Sequence, residues 1–508
     1  MKSKEFGFRI GFGMTEKQGF TMVELIVVIA IIGIISTIAM IAVGHARAKA
    51  RDTRRLNDID QIQTALLLFY RDQNRFPSSD EFVVGNSLAL VSGSNTTTYM
   101  TQIPSSPTPA DGTCNNNDNY YRYIPSSNQK QYVIYYCLGG KAGDVGGGAH
   151  AATGDGIAAG MTWQPVATYN SYVGDFTIVA GVPYIAYNLG PQDGFKGLVE
   201  KYVNGAWQQV GIGTAGIREG SAVGTQLIST DDGSLYTGYV EYGSGHVGVL
   251  KYTGNGNTGW EPLGDPNFFA SVFGNYKIIT KNNIVYVISS NNAAEVKVFK
   301  YDGSSWSQVG SAISGANSPF IDVNSNNDIY IMYAFNANAS LYVRKFNGNT
   351  SNWDMVGTSL LYYGGGYWYK NDWSFAVAEN YPGVFWDQSV PSGYNLFAQK
   401  FNGSAWEAAY SGMYGFNPTY LSSQLSVATD KSTVYLAYKD ATAGIDGKIS
   451  VLKRNLANAK ELEWTSVGYP GFSNGAVSNT QIKITSDGGL YVKYVDADGK
   501  TYIKRLGR

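Results

Sequence analysis

The sequence predicts two unlike parts, a long N-terminal helix and a large all-β body built from repeated units. From Phe20 to Val43 the only ionisable side chain is Glu24, and so long an apolar run is typical of a membrane-spanning helix. Farther along, tryptophans recur at spacings of 44, 53, 46, 47, 53 and 58 residues, which indicates an internal repeat. The 61 glycines and 38 tyrosines are typical of an aromatic, turn-rich β protein found outside cells.

The charge balance argues against a nucleic-acid partner. Only 15% of the residues are charged and the net charge is −1, so no basic field is available to neutralise a phosphate backbone. We therefore expect no nucleic-acid binding.

The predicted helix extends beyond the apolar run. Apolar residues recur at three- and four-residue steps after the run and form one stripe, which comprises Leu56, Ile59, Ile62, Leu66 and Phe69. Pro77 disfavours helical geometry at Phe76. The sequence thus predicts one helix over about 20–74 whose second half lies against other structure.

The segment Lys17–Leu25 with its apolar run resembles the N-terminus of type IV pilins and of type II secretion pseudopilins. The resemblance implies that residues 1–19 are a leader, which a prepilin peptidase removes between Gly19 and Phe20 before it methylates Phe20. It also implies that Glu24 takes part in subunit assembly, where the α-amino group of Phe20 on a neighbouring subunit would offset its charge. The alternative is an ordinary signal anchor with a stray glutamate.

The same resemblance implies the partners and the location. The partners would be prepilin peptidase, other pilin or pseudopilin subunits and the inner (cytoplasmic) membrane. The leader is net positive and is expected to stay in the cytoplasm. We expect a single-pass inner-membrane protein before assembly, and later a pilus, cell-surface or periplasmic location with the C-terminal domain outside the cytoplasm.

Residues 20–138 are predicted to form a pilin-like domain, with the helix and a small α+β head. Runs at 120–124 and 131–136 predict a hairpin packed on the helix. Cys114 and Cys137 flank it, and an exported protein with one cysteine pair favours a disulfide, with two free thiols as the alternative. The oxygen-rich stretch Asp111–Asp118 is either a calcium loop or a solvated turn. Residues 139–160, rich in Gly, Ala and Asp, predict a flexible linker.

Residues 161–508 carry the repeat, mostly in the frame aromatic-x-Gly-x-x-Trp-x-x-Val-Gly. Three strand-like runs precede each later tryptophan, and the middle run carries an aromatic at a matched place: Tyr184, Tyr236, Tyr286, Tyr330, Phe385, Tyr435 and Tyr491. Four strands in about 50 residues, repeated, resemble a β-propeller. The lone tryptophan strand at 161–166 would complete the last three strands, which predicts seven blades closed by the two ends of the repeat.

The fixed aromatics are expected to be core, whereas the connections between repeats are candidates for function. Three links are aromatic, and stacking on sugar rings or contact with a receptor protein would suit them. The alternative is that they plug the channel or fold over the ring. The candidate residues are Phe268, Phe269, Phe273, Tyr362, Tyr363, Tyr367, Trp368, Tyr369, Trp373, Tyr410, Tyr414, Phe416 and Tyr420.

Catalysis is not expected. The chain has three histidines, of which only His246 lies in the repeats, and no P-loop, zinc-ligand cluster or nucleophile elbow appears. The sequence therefore predicts a minor pilin-like subunit, without cofactor, whose propeller binds a glycan or protein. The alternative is a structural pseudopilin of a secretion or DNA-uptake machine, and a propeller hydrolase or lyase ranks third.

Overall fold

The computed structural model describes residues 22–507, apart from 93–94, 113, 115–118, 126–128, 130–131, 144, 154–155, 159–161, 212–215, 257, 265–268, 271–275, 292, 336–339, 359–372, 391–392, 409–424, 441–446, 458–463 and 469. It contains one helix long and apolar enough to cross a membrane, α1, Met22–Gln73. The predicted long helix is confirmed. It ends where Asn74 takes a φ of 53° and its N–H closes on the Tyr70 carbonyl at 2.7 Å, a left-handed helix end that asparagine tolerates.

A small sheet packs on the second half of α1. Strands β3 (Arg122–Pro125) and β4 (Tyr132–Leu138) pair antiparallel as the predicted hairpin. Alternate β4 residues such as Ile134 and Tyr136 contact the helix stripe, and the cluster they share includes the fully buried Ile59 and Phe69. A separate hairpin of β1 (Leu88–Ser92) and β2 (Asn95–Met100) lies beside the helix.

The prediction of a flexible linker over 139–160 is wrong for part of that stretch. Strand β5 (Gly148–Thr153) pairs with β4, and β6 (Gly156–Ala158) pairs with β5. The segment has no apolar period, but the free edge of β4 offers backbone hydrogen bonds that do not depend on side chains. Ala152 of this segment is also fully buried.

The chain from Thr162 onward forms sheets of four antiparallel strands, as predicted. The described residues contain seven, each a consecutive meander except the one that joins β7 to β33–β35. The first sheet contains β8 Asp175–Val179, β9 Val182–Asn188, β10 Gly197–Val203 and β11 Ala206–Gln209. The second contains β12 Val223–Ser229, β13 Leu235–Val240, β14 His246–Tyr252 and β15 Trp260–Pro262, and the third β17 Tyr276–Lys281, β18 Ile284–Ser290, β19 Glu295–Tyr301 and β20 Trp306–Ser314. The fourth contains β21 Ala316–Val323, β22 Ile329–Phe335, β23 Ser340–Asn347 and β24 Asn352–Met355.

The remaining sheets are β25 Trp373–Ala378, β26 Tyr381–Val390, β27 Gly393–Phe401, β28 Trp406–Ala408; β29 Ser426–Asp430, β30 Thr433–Asp440, β31 Lys448–Asn455, β32 Thr465–Ser466; and β33 Ser478–Ile484, β34 Leu490–Val495, β35 Thr501–Gly507 with β7 Thr162–Tyr169. A short β16, Phe269–Ala270, adds to β14, and a 3-10 turn covers Pro191–Asp193.

The sheets follow one another in a ring. Their first strands contact in the order β8, β12, β17, β21, β25, β29, β33. The last sheet then returns to the first, because the Asn479 side-chain amide donates to the Val173 carbonyl at 2.7 Å and Tyr491 packs with Phe176. Strand β7 pairs with β35 from Thr162↔Gly507 to Tyr169↔Thr501, so the first strand of the repeat completes the last sheet as predicted.

The repeated tryptophans join neighbouring sheets. Six of them donate the indole N–H to a carbonyl at the outer strand of the preceding sheet: Trp163 to Val467, Trp207 to Thr168, Trp260 to Val210, Trp306 to Leu263, Trp353 to Ser311 and Trp406 to Val356. The glycine that ends the frame makes room for the next indole. At Gly310 and Gly357, where φ is 68° and 67°, an added Cβ would lie within 3 Å of Trp353 and Trp406 respectively.

Candidate functional site

The first half of α1 presents an exposed apolar surface. Val23, Ile32 and Ile38 are 69%, 57% and 62% exposed, and none of the described residues covers this stretch, whose most apolar window is unburied. An apolar surface of this kind is stable only in a bilayer or against other apolar helices. Glu24 lies in the first turns of α1, its side chain lies outside the described part, and Gly19 and Phe20 precede the first described residue.

Hydrogen bonds from Arg55 connect the second half of α1 to the loop before β3. Its guanidinium is fully buried and donates to the Asp52 carboxylate at 2.6 Å, the Pro107 carbonyl at 2.9 Å and the Asn119 side chain at 2.8 Å. The Asp52 carboxylate accepts the N–H groups of Gly139 and Gly140, each at 2.8 Å. Charge-assisted bonds of this kind are stronger than neutral ones. The helix and the segment after β4 therefore share one ionic network.

The cysteine pair closes the same region. Cys114 and Cys137 form a disulfide with a Cα–Cα distance of 5.9 Å, so the predicted pairing is present. Asp111, at the start of the possible calcium loop, already forms ion pairs with Arg51 and Arg55. Residues 113 and 115–118 of that loop lie outside the described part of the chain.

Most of the predicted ligand-binding aromatics lie outside the described residues: Phe268, Phe273, Tyr362, Tyr363, Tyr367, Trp368, Tyr369, Tyr410, Tyr414, Phe416 and Tyr420. The two others belong to sheets. Phe269 is in β16, opposite Val247 of β14. Trp373 begins β25 opposite Trp386 and packs, half-buried, on the cluster that includes Phe375.

A second repeated contact was missed at the sequence level. In six of the seven sheets the aromatic of the second strand lies opposite a basic residue of the third, as in the cross-strand pairs Tyr236↔Lys251, Tyr330↔Lys345 and Tyr491↔Arg505. The exception is Phe385, which lies opposite Ala398. In the three pairs named, each cation lies over its ring, 5.4 to 5.6 Å from the centroid, at a range typical of cation–π contacts. This pairing left a pattern in the sequence, because a lysine or arginine comes just before the last residue of the third strand-like run of a repeat, as in Lys300-Tyr301 and Lys345-Phe346.

Polar side chains on the first strands connect several neighbouring sheets near the centre of the ring. The Asp175 carboxylate accepts the Leu227 N–H at 2.7 Å, and the Gln226 side chain both accepts from the Ile278 N–H and donates to the Tyr276 carbonyl. Asp322 accepts the Val377 N–H at 2.7 Å. Burial raises the pKa of Asp322 to about 6 against these backbone hydrogen bonds. No group of three or more potential metal ligands occurs among the described side chains.

The fold and its exposed helix thus define a class: an all-β ring attached, through a small disulfide-linked sheet, to a helix of membrane-spanning character. The sequence comparison adds the particular motif. Residues 14–40 match the prokaryotic N-terminal methylation motif, so the chain carries the prepilin methylation signal. That motif implies processing by prepilin peptidase and assembly with other pilin subunits.

Comparisons beyond the motif are distant. None of the curated proteins matches this sequence. Among solved structures, the chain is similar to the SapL1 lectin in complex with alpha methyl fucoside, at 14% identity and a TM-score of 0.38, over 54% of this chain and 87% of the lectin. It is also similar to an ulvan lyase of polysaccharide lyase family PL25, at 11% identity and a TM-score of 0.41, over 69% of this chain and 96% of the lyase.

Proposed function

We propose that the chain is a minor type IV pilin-like subunit that displays a ligand-binding head at a filament tip or cell surface. The observation that carries the proposal is the division of α1. Its first half bears the methylation motif and is left exposed, whereas its second half is buried under the small sheet. A chain divided in this way can enter a helical bundle at one end and present the rest of its mass outside.

We infer that the small sheet with α1 is a pilin-type α+β head and that the ring is a seven-bladed β-propeller. The contacts between successive first strands, the tryptophan bonds and the pairing of β7 with β35 support the second inference. Closure by strands from both ends of the repeat pairs the edge that β35 would otherwise leave open. A ring of this kind leaves only short, protected edges, which suits a domain exposed outside the cell.

The head and the ring are expected to move as one body. β5 contacts β7, and Tyr135 and Arg122 of the small sheet lie near enough to the buried Tyr438 of the ring to affect its pKa, which burial raises. Tyr135 is 1% exposed although it points away from the helix side of β4. A large rigid mass beside the helix would obstruct tight packing along a thin filament. This favours a tip or low-abundance position over that of the major subunit.

The proposed role of the ring is binding, not catalysis. The connections between sheets carry the aromatic residues, and the sequence has only three histidines, the commonest acid–base residue in catalysis. A glycan or a protein on another surface is the ligand class that these connections suit.

Immunogold electron microscopy of cells and sheared filaments, with an antibody against the ring, tests this role. We expect label at filament tips in wild-type cells and its loss in cells without prepilin peptidase. The Glu24→Ala variant should also lose filament label, whereas Glu219→Ala, in an exposed loop of the ring, should keep it. Label confined to the envelope of wild-type cells would reject the tip position and favour a structural pseudopilin of a secretion or DNA-uptake machine.

A further inference from the structure

The centre of the ring concentrates positive charge. Lys483 of β33 donates to the Leu227 carbonyl of β12 at 3.0 Å, although the sheet β8–β11 stands between these two sheets in the ring. Such a bond is possible only across the centre. The Lys483 ammonium also lies 3.4 Å from the Asp175 carboxylate. Its position shows that side chains of the first strands converge there.

Lys493 and Lys277 bring two more ammonium groups to this place. Lys493 is fully buried and donates to the Val173 and Gly174 carbonyls, at 2.9 and 3.1 Å. Lys277 lies on β17, where the side chain of Gln226 bonds the backbone on either side of it, at the Tyr276 carbonyl and the Ile278 N–H. Gln226 precedes Leu227, whose carbonyl accepts from Lys483. The Asp175 carboxylate pairs with Lys483 and opposes the lowering of the pKa of both Lys277 and Lys493.

The Asp175 carboxylate already has three partners. It accepts the Phe176 and Leu227 N–H groups, at 2.8 and 2.7 Å, besides its ion pair with Lys483. The Lys493 ammonium donates hydrogen bonds to two carbonyls, and the residue has no exposed surface. Among the described residues, Lys277 has neither an ion pair nor a hydrogen bond; its ammonium lies 5.5 Å from the centroid of the Phe320 ring.

The environment of Lys277 disfavours a lone cation. Lys277 is exposed to water between the buried Tyr276 and Ile278 of β17. Desolvation by the surrounding protein lowers the pKa of Lys277, the Asp175 carboxylate opposes the shift and the Lys483 ammonium adds to it. An anion placed beside Lys277 would offset the repulsion from Lys483.

We propose that the centre of the ring binds an oxyanion group of a ligand, a carboxylate, sulfate or phosphate, between the ammonium groups of Lys277 and Lys483. The chain enters the first strands from the connections between sheets, and Lys277 is the second residue of β17. The site therefore lies near the face of the ring at which the chain enters its first strands. The inference rests on the proposed ligand-binding role of that face and adds the charge of the ligand.

Titration calorimetry on the full chain in detergent tests the site. Sodium sulfate, sodium phosphate and sodium glucuronate are titrated separately at constant ionic strength, with glucose as the neutral sugar and sodium chloride as the simple salt. We expect saturable binding of at least one of the three oxyanions and none of glucose. Which of them binds identifies the oxyanion. Binding of none of the three would overturn the proposal.

Substitutions show whether binding occurs at this place. Lys277→Met should weaken the affinity at least about tenfold, the size expected from losing one charge-assisted hydrogen bond, and Lys277→Arg should restore much of it. The matched control is Lys297→Met, which removes the same charge from β19 of the same sheet, where the lysine is paired with Glu295 at 2.9 Å. Equal loss of affinity in Lys277→Met and Lys297→Met, or no loss in either, would contradict the site.

The pilin-like display role and the oxyanion site can be rejected independently of each other. If the Lys277→Met protein still labels filament tips and still attaches to its target surface, display and adhesion stand, and the oxyanion is not part of recognition. If the wild-type protein binds the oxyanion but never reaches filaments, the charge site stands and the pilin-like role does not.

Discussion

At the scale of single residues, the ring depends on side chains that each perform the same task at successive sheets. Trp260 is a clear example, since its ring is 4% exposed and its N–H reaches the Val210 carbonyl of the preceding sheet. The tryptophan spacing predicted the repeat and a core position for the indole side chains. The hydrogen-bond partner could not be predicted, because it depends on how neighbouring sheets are staggered and not on local sequence.

Replacement of Trp260 by Phe should remove this bond while keeping most of the apolar area. We expect the free energy of unfolding to fall by about 1–3 kcal/mol, since a buried carbonyl loses its partner. Trp207→Phe is the matched control, because its bond to the Thr168 carbonyl is exposed and water can replace the indole. Chemical denaturation followed by tyrosine fluorescence measures both. An equal loss in the two variants would contradict the argument.

Lys493 predicts a pH dependence of stability. Burial lowers the pKa of Lys493 to about 7, with Asp175 opposing the shift and Lys483 adding to it. In the unfolded chain a lysine titrates near 10.4, so between these values the unfolded state binds more protons and stability rises with pH. The slope contributed is at most about 1.4 kcal/mol per pH unit.

The Lys493→Met variant should therefore show a flatter rise in the free energy of unfolding between about pH 7 and pH 9 than the wild-type chain. Lys297→Met, which removes an exposed charge, should keep the wild-type slope. Denaturant titrations at several pH values measure the slopes. A wild-type slope retained in Lys493→Met would mean that Lys493 stays protonated in the folded state.

At the scale of elements, α1 and the small sheet are held together by a buried ionic network. The apolar stripe from Leu56 to Phe69 predicted a helix packed against other structure, and the structure confirms it. The sequence did not indicate that Arg55 would be buried. Its partners Asp52, Pro107 and Asn119 come from three separate segments, and only the fold brings them together.

Arg55→Met should cost about 3–5 kcal/mol of stability, since it leaves the buried Asp52 carboxylate without its cation. The Arg54→Met variant is the control, because Arg54 is the exposed neighbour on the same helix. Hydrogen exchange of β4 and β5 should rise in Arg55→Met and stay unchanged in Arg54→Met. Protection that survives in Arg55→Met would show that the apolar contacts alone hold the sheet.

The disulfide should act on the same small sheet and not on the ring. Cys114 and Cys137 are 23 residues apart, and a cross-link over a loop of this length is worth roughly 3 kcal/mol in the chain-entropy account. In the Cys114→Ala/Cys137→Ala double variant, limited proteolysis should therefore cut between β2 and β4 while the ring stays intact. Equal susceptibility of the ring would mean that the two parts unfold together.

At the scale of the whole molecule, the division into helix, small sheet and ring followed from patterns that reflect local physics: a long apolar run, a helical stripe and a fixed tryptophan frame. The linker was misjudged because β5 is held by backbone pairing to β4, which leaves no apolar signature. The lysines at the centre of the ring were missed for a related reason. Lys483 and Lys493 belong to adjacent strands, but Lys277 lies far from both in sequence and comes near them only because the ring closes.

The central claim is that a processed pilin-type helix carries the ring into filaments, and the N-terminal peptide of the filament-bound protein tests it most directly. Trypsin cuts after Lys17 and Arg47, so mass spectrometry of sheared filaments can distinguish a peptide that starts at Gln18 from one that starts at Phe20. We predict a peptide that starts at Phe20 and carries one methyl group on its amino terminus. A filament-fraction peptide that starts at Gln18, or an unmethylated one, would contradict the account.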